Sequence, residues 1–297
     1  RTQYTSFLNE ESDKATVIYG VPQGSVLGPI LFLIYINDLI KCSDLSCFVL
    51  FADDTNIFVS GKTFNEAATK ANTILDAVSK YTIANKLHIN RDKTCFMHFK
   101  PKGDKSNDNI DKMELHINNN EIEEVSETKF LGVTLDNELS WDVHINTLAK
   151  KLKCCTGQLN RICNFIPKDL FSGLYHTLYE SHLCYGITIW GGIPVHKLRP
   201  LFISQKHCIR VMFGNKELYL EKFKTSVRTR PYQSQQLGQE FFKKEHTKPI
   251  FNDNHIMTIH NLYNYQLLNC TYKILKFRTP IAIYSCFNLS NRKETLL

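Results

Sequence analysis

The first strong pattern along the chain is a pair of apolar runs separated by two acidic residues. Residues 47–52 form a continuous apolar run, which Asp53 and Asp54 interrupt. Apolar residues return within residues 55–60, for example at Ile57. Runs of this length around a short polar break are typical of two strands joined by a tight turn. The pattern therefore predicts a β-hairpin with an acidic tip.

Helical patterns lie on both sides of this hairpin. Pro29 suits a first helical position, and the residues that follow it are apolar on most sides, which predicts a core helix. Thr63 is a candidate N-cap with Glu66 in the first turn, and the apolar positions that follow predict a long helix ending near Asn85. The first part of the chain is therefore predicted to mix strands with helices.

The second part of the chain is predicted to be mainly helical. Residues 130–135 predict one more strand, and after it apolar residues recur in steps of three and four, which predicts a helix with a single apolar stripe. The stripe consists of Ile145, Leu148, Leu152, Cys155, Leu159 and Ile162. Further helices are predicted over 168–185, 198–213 and 256–277, and the fold class is therefore α+β.

Composition and charge narrow the class of protein only slightly. Hydrophobic residues at 43% and charged residues at 22% are ordinary for a folded soluble protein, and the formal charge of +7 is compatible with a polyanionic partner without requiring one. The ten cysteines contain no CxxC pair, and no apolar run is long enough to span a bilayer. We therefore expect an intracellular protein without a membrane partner.

Candidate chemistry is concentrated in three segments that are weak signals when taken singly. Paired aspartates in a turn are usually a solvated hairpin tip, although carboxylates at a rigid strand end can also bind Mg²⁺ through oxygen. A Gly- and Pro-rich segment over 20–29 is otherwise plain turn geometry, and Lys93 in a polar turn is otherwise a surface residue. Their common order along the chain changes this interpretation.

These segments together resemble the palm of a polymerase. Residues 20–29 read Gly-Val-Pro-Gln-Gly-Ser-Val-Leu-Gly-Pro, residues 51–54 read Phe-Ala-Asp-Asp, and residues 87–94 read Leu-His-Ile-Asn-Arg-Asp-Lys-Thr. In this order and spacing they resemble the reverse transcriptases of non-LTR retrotransposons, including the jockey-like elements. The resemblance implies a partial palm over 1–137, with helices backing an antiparallel sheet. It also implies a helical thumb over 138–214 and a basic, mostly helical region of unknown role over 215–297.

The resemblance also implies roles for individual residues of the palm. It makes Asp53 and Asp54 catalytic metal-binding residues, and it makes Lys93 a catalytic residue near the triphosphate. In the complete enzyme two Mg²⁺ ions would support transfer of nucleotides from dNTPs, with an RNA template and a DNA primer or target as partners. The residues implied to lie along the nucleotide and the templating base are Pro22, Gln23, Gly24 and Ser25.

Contacts to nucleic acid are expected farther along the chain. The resemblance assigns Phe130, Leu131 and Gly132 to a primer-grip strand. Cations on the outer face of the first thumb helix either contact phosphates or form an ordinary solvated face, and the sequence leaves both readings open. These cations are Lys150, Lys151, Lys153 and Arg161. Trp190 and the tyrosines Tyr175, Tyr179 and Tyr185 either stack on bases or, as the more frequent case, pack in the core.

The chain departs from the family pattern in two respects. An active palm needs a further aspartate on an upstream strand, and no residue here matches it; the fingers are also absent. We therefore expect residues 1–297 alone not to polymerise. Two alternatives remain at this stage: a non-catalytic remnant that at most binds nucleic acid, and a maturase or telomerase-like relative. The resemblance implies localisation in the nucleus and cytoplasm.

Overall fold

The computed structural model describes residues 2–18, 20–21, 24–99, 113–118, 120–214 and 247–287. The chain divides into two compact units, Arg1–Ser126 and Glu127–Leu297. Both units mix helices and strands, so the α+β class is confirmed. The functional boundaries at 137 and 214 remain predictions, and the first part of the basic region predicted over 215–297, residues 215–246, lies outside the described residues.

Short strand pairs and two helices make up the first unit. Its elements are β1 (Thr2–Gln3), β2 (Ser6–Phe7), β3 (Glu10–Glu11), β4 (Ala15–Thr16), α1 (Leu27–Ile36), β5 (Cys47–Phe51), β6 (Asp54–Phe58), α2 (Phe64–Ala84), β7 (Cys95–Phe96), β8 (His116–Ile117), β9 (Asn120–Glu121) and β10 (Glu123–Glu124). Antiparallel pairs are β1 with β4, β2 with β3, β5 with β6 and β8 with β9, whereas β7 and β10 pair in parallel. The described strands therefore form separate ribbons, not the antiparallel palm sheet predicted from the sequence.

The predicted long helix and its cap are confirmed in α2. The hydroxyl of Thr63 accepts a hydrogen bond from the Glu66 amide at 3.2 Å, and the Glu66 carboxylate accepts one from the Lys62 amide at 2.8 Å. These bonds satisfy amide donors that a helix start leaves without partners. The helix buries Ile74 and Val78 in a small core.

The prediction that α1 lies in the core is wrong for the described residues. Only Gly28 and Ile36 of this helix are buried, whereas Ile30, Leu33 and Ile34 are 53%, 51% and 68% exposed. The reason is that the helix packs along one narrow stripe against the small core around α2, and the described part of the unit covers no other face. The result is a large exposed apolar surface, which favours association and low solubility.

Helices dominate the second unit. Its elements are β11 (Glu127–Phe130), β12 (Val133–Asp136), α3 (Asp142–Ile162), α4 (Phe171–Tyr175), α5 (Ser181–Cys184), α6 (Ile187–Trp190), α7 (Val195–Phe213), α8 (Lys248–Asp253), α9 (Ile259–Phe277) and α10 (Ile281–Tyr284). A π-helical segment over His176–Glu180 links α4 to α5, so the helix predicted over 168–185 is present but irregular. The predicted apolar stripe of α3 is buried from Ile145 to Leu159, as expected.

The prediction of a single strand over residues 130–135 is also wrong. The chain instead turns back on itself at Leu131 and Gly132, so that β11 pairs with β12 in an antiparallel hairpin. Gly132 has a φ of +85°, a conformation that glycine adopts without steric cost. An apolar run that contains one glycine can therefore form a hairpin instead of a single strand.

None of the described helices is both long and apolar enough to cross a membrane.

Candidate functional site

The paired aspartates lie at the tip of the β5–β6 hairpin, as the sequence predicted. Phe51 pairs with Asp54, so Ala52 and Asp53 form the two-residue turn between the strands. Ala52 has a φ of +51°, a left-handed conformation that crowds the β carbon of any residue except glycine. Both aspartates are exposed. Within the described part of the chain, neither carboxylate has a hydrogen-bond or ion-pair partner, so both are available to a ligand.

These two carboxylates fit only part of a metal site. Divalent ions such as Mg²⁺ and Ca²⁺ take six or more oxygen ligands, although water and substrate often supply several of them. Among the described residues, no group of three or more His, Cys, Asp or Glu side chains could hold a metal ion. An ion at Asp53 and Asp54 would therefore need ligands beyond the side chains gathered at this hairpin.

The Gly- and Pro-rich segment is described only in part. Gly24 has a φ of +81°, and the side chain of Ser25 accepts a hydrogen bond from the Gly28 amide at 3.1 Å at the start of α1. Ser25 therefore has a structural role in beginning that helix, whatever ligand lies nearby. Pro22 and Gln23, predicted to line the nucleotide, lie outside the described residues.

Lys93 is exposed on a short 3₁₀ turn, Arg91–Lys93, between α2 and β7. Its ammonium group is available to an anionic ligand. Among the described residues, no hydrogen bond or ion pair joins it to Asp53 or Asp54. Their joint role remains a prediction.

The predicted primer-grip residues Phe130, Leu131 and Gly132 belong to the second unit, where they form the tip of the β11–β12 hairpin. Gly132 is exposed, while Phe130 and Leu131 are half-buried. The backbone at this tip is therefore accessible to a ligand.

A buried carboxylate that the sequence analysis missed connects this hairpin to α3. The Asp136 side chain accepts hydrogen bonds from the amides of Glu138, Ser140 and Trp141 at 3.2, 2.8 and 2.9 Å. Burial acts to raise the pKa of Asp136, but these amides favour the charged form and hold its pKa below the ordinary value. The aspartate thus fixes the turn that leads into the helix. The sequence did contain a signal for this turn, because Asp and Ser are common turn residues.

His144 is a second buried polar residue that the sequence analysis missed. Its Nδ1 accepts a hydrogen bond from the Thr134 amide at 3.3 Å, so the neutral imidazole must carry its proton on Nε2. Burial lowers the pKa of His144, which keeps the ring neutral near pH 7. The ring packs against Trp190 with centroids 5.4 Å apart. His144 therefore ties β12 to the helical core.

The four aromatic residues considered for stacking on bases differ in how deeply they are buried. Trp190, Tyr175 and Tyr179 are fully buried in the core of the second unit, so core packing is confirmed for them and stacking on a base is excluded. Tyr185 is different, with 56% of its surface exposed.

The cations predicted to contact phosphates all lie on the exposed face of α3, opposite its buried stripe. One of them, Lys153, lines an open groove of about 440 Å³ between α3 and α7. The other lining residues are Thr156, Gly157, Asn160, His207 and Val211.

Lys and Arg outnumber Asp and Glu by about two to one over residues 127–297, whereas acidic residues are in excess over residues 1–126. The positive charge of the protein is therefore concentrated in the second unit.

Comparison with known proteins bears on the resemblance that the motifs indicate. Residues 2–135 match the family described as reverse transcriptase (RNA-dependent DNA polymerase). Residues 2–135 therefore resemble the reverse transcriptase family, and the resemblance that the motifs indicated is confirmed. No solved structure matches the chain significantly.

The curated relatives are polymerases of mobile elements. The chain is 24% identical over 226 residues to the "RNA-directed DNA polymerase from mobile element jockey" of Drosophila melanogaster, covering 72% of this chain and 24% of the relative. It is 25% identical over 205 residues to the protein of the same name from Drosophila funebris, covering 66% and 22%. It is 28% identical over 205 residues to the "Probable RNA-directed DNA polymerase from transposon BS" of D. melanogaster, covering 65% and 22%. The chain thus spans about a quarter or less of the length of these relatives.

Proposed function

We propose that this chain supplies part of the palm and the thumb of an RNA-directed DNA polymerase that copies the RNA of a non-LTR element into DNA. The observation that carries the proposal is the family match over residues 2–135, within which Asp53 and Asp54 stand at an exposed, tightly turned hairpin tip. Carboxylates in this position suit a reaction whose catalysis consists mainly of neutralising phosphate charge and aligning the reactants.

In the complete enzyme, Asp53 and Asp54 would contribute ligands for two divalent ions, which we take to be Mg²⁺. Bound ions would activate the primer hydroxyl and hold the triphosphate of the incoming dNTP. Lys93 would stabilise charge on the triphosphate, and the segment from Pro22 to Ser25 would lie along the nucleotide and the templating base. The exposure of Lys93 and the open backbone at Gly24 are compatible with these roles.

The second unit would hold the primer and template. Phe130, Leu131 and Gly132 would contact the primer, and the exposed cations of α3 would contact the phosphate backbone. The positive balance of charge over residues 127–297 supports this assignment, because contacts to phosphate do not depend on sequence and rest on Lys and Arg.

The activity of residues 1–297 alone tests the expected need for an upstream aspartate. We expect no primer extension when the purified chain is mixed with an RNA template, a DNA primer, dNTPs and Mg²⁺, because two carboxylates do not complete the metal site. The measurement is extension of a labelled primer on a gel. Extension that disappears in Asp53→Asn would show that these residues suffice, whereas extension that persists in this variant would indicate a contaminating polymerase.

Binding to nucleic acid tests the proposed thumb. We expect the triple variant Lys150→Gln, Lys151→Gln and Lys153→Gln to bind a recessed RNA–DNA primer–template more weakly. The slope of log binding constant against log salt concentration should become shallower by roughly 2–3, since each lost phosphate contact removes roughly 0.7–0.9. Fluorescence anisotropy across a salt series measures both quantities.

A triple variant with the same loss of charge in the first unit provides the control. Lys14, Lys62 and Lys80 are also exposed, and their replacement by Gln should leave the salt slope nearly unchanged. If both triple variants lose the same affinity and slope, binding follows overall charge, and the phosphate contacts assigned to α3 are wrong.

A non-catalytic remnant that at most binds nucleic acid is the second candidate function. It is favoured by the exposed cations of α3, whose contacts to phosphate would not depend on a metal site. The two proposals differ in a complete polymerase that contains this segment, because only the first predicts synthesis that depends on Asp53.

A further inference from the structure

The tip of the β11–β12 hairpin has an unusual backbone. Phe130 pairs with Val133, so Leu131 and Gly132 alone make the turn, with φ values of +45° and +85°. Two successive positive φ angles match the turn that fits the twist of a hairpin, but the first position usually holds Asn, Asp or Gly. A leucine there is strained, since its β carbon crowds the backbone. Strain of this kind persists only where the surroundings hold it in place.

Tyr185 holds this turn from the helical part of the same unit. Its hydroxyl donates a hydrogen bond to the carbonyl oxygen of Leu131. Its ring lies so close to Gly132 that a β carbon there would stand 3.1 Å from Cε1 of the ring. A β carbon on Gly186 would likewise stand 3.1 Å from a methyl group of Val133. The two glycines therefore allow the Tyr185 loop and the hairpin tip to approach each other more closely than other residues would permit.

Tyr185 is itself fixed to the core. The indole Nε1 of the buried Trp190 donates to the Tyr185 carbonyl oxygen at 2.9 Å. Trp190 packs against His144, and His144 accepts a hydrogen bond from the Thr134 amide in β12. The contacts therefore run from the hairpin tip through Tyr185, Trp190 and His144 back to a strand of the same hairpin. The conformation of its tip is thus set by the packing of the helices.

The Tyr185 ring remains accessible in spite of these contacts. It is 56% exposed beside the exposed Gly132, and the strand next to the turn carries the exposed cation Lys129. The surface therefore combines an aromatic edge, an open backbone and a positive charge. That combination suits the sugar and phosphate of a nucleic-acid strand better than an apolar ligand.

We propose that Tyr185 is a positioning residue for primer binding: it holds the strained Leu131–Gly132 turn in the conformation that contacts the end of a primer strand. The inference rests on the proposed function, because the ligand is the primer assigned there to this hairpin. Tyr185 acts through the hydrogen bond to Leu131 and through the ring face against Gly132.

Two measurements on the complete chain, 1–297, test the role of Tyr185 with the variant Tyr185→Phe. The first is amide hydrogen exchange at Val133, the residue that pairs with Phe130 across the turn, and it should become about fivefold to tenfold faster when the hydroxyl is lost. The second is the affinity for a recessed RNA–DNA primer–template divided by the affinity for a blunt duplex of the same length. In the wild-type chain this ratio should exceed one, and in Tyr185→Phe it should fall towards one.

The control is Tyr265→Phe, which removes a hydroxyl from a tyrosine of similar exposure on α9 and should change neither measurement. A purely structural loss would weaken both ligands equally and leave the affinity ratio unchanged, and that result would overturn the inference. Unchanged exchange at the hairpin would overturn it as well. If the wild-type chain shows no preference for the recessed primer, the proposed primer contact itself fails, which is distinct from a failure of Tyr185 alone.

Discussion

Replacing Asp53 with asparagine is expected to abolish DNA synthesis by a complete polymerase that contains this segment. Asparagine keeps the shape of the side chain but removes the negative charge that would hold a divalent ion. Because two-metal catalysis depends on the placement of the ions and the reactants, we expect incorporation of the first nucleotide to slow by at least about a hundredfold. Single-turnover extension of a labelled primer with Mg²⁺ measures this loss.

Binding to the primer–template should survive the same substitution, to within about twofold in Kd. Asp53 is exposed in a turn and makes no hydrogen bond or ion pair within the described residues, so its replacement removes no contact on which folding depends. Asp76→Asn, at an exposed position on α2, is the matched control and should retain synthesis. Parallel loss of synthesis and binding in Asp53→Asn would assign the hairpin a structural role and remove the basis of the proposed metal site.

Replacing Trp190 with alanine is expected to destabilise the second unit by about 3–5 kcal/mol, the usual cost of deleting a large buried aromatic side chain. Trp190 is fully buried, packs against His144 and donates to the carbonyl of Tyr185. The substitution therefore leaves a cavity and also removes the anchor of the Tyr185 loop. Urea unfolding followed by far-ultraviolet circular dichroism measures the change in the free energy of unfolding.

One further variant separates the indole hydrogen bond of Trp190 from its packing, and a second, at an exposed position, serves as the control. Trp190→Phe keeps most of the ring volume but loses the indole donor, so we expect a smaller loss of about 1–3 kcal/mol. Phe165→Ala removes an aromatic ring that is 88% exposed and should change stability by less than about 0.5 kcal/mol. If Trp190→Ala costs no more than Phe165→Ala, the packing described for the core of this unit is incorrect.

Local sequence patterns predicted many of the individual elements. The acidic hairpin, the cap and length of α2 and the apolar stripe of α3 were predictable because each depends on neighbouring residues only. The environment of α1 was not predictable in this way. Apolar residues on all sides of a helix show that burial would be favourable, but not whether this chain supplies the surfaces that bury it.

The sequence alone indicated the resemblance to reverse transcriptases, the position of Asp53 and Asp54 at a hairpin tip and the division of α3 into buried and exposed faces. These features follow from motif order and from periodicity. Only the tertiary structure decided that residues 130–135 form a hairpin, that Asp136 and His144 fasten it, and that Tyr185 rests on its tip. Such contacts join residues up to 54 positions apart. They arise from the packing of helices, which a local pattern does not encode.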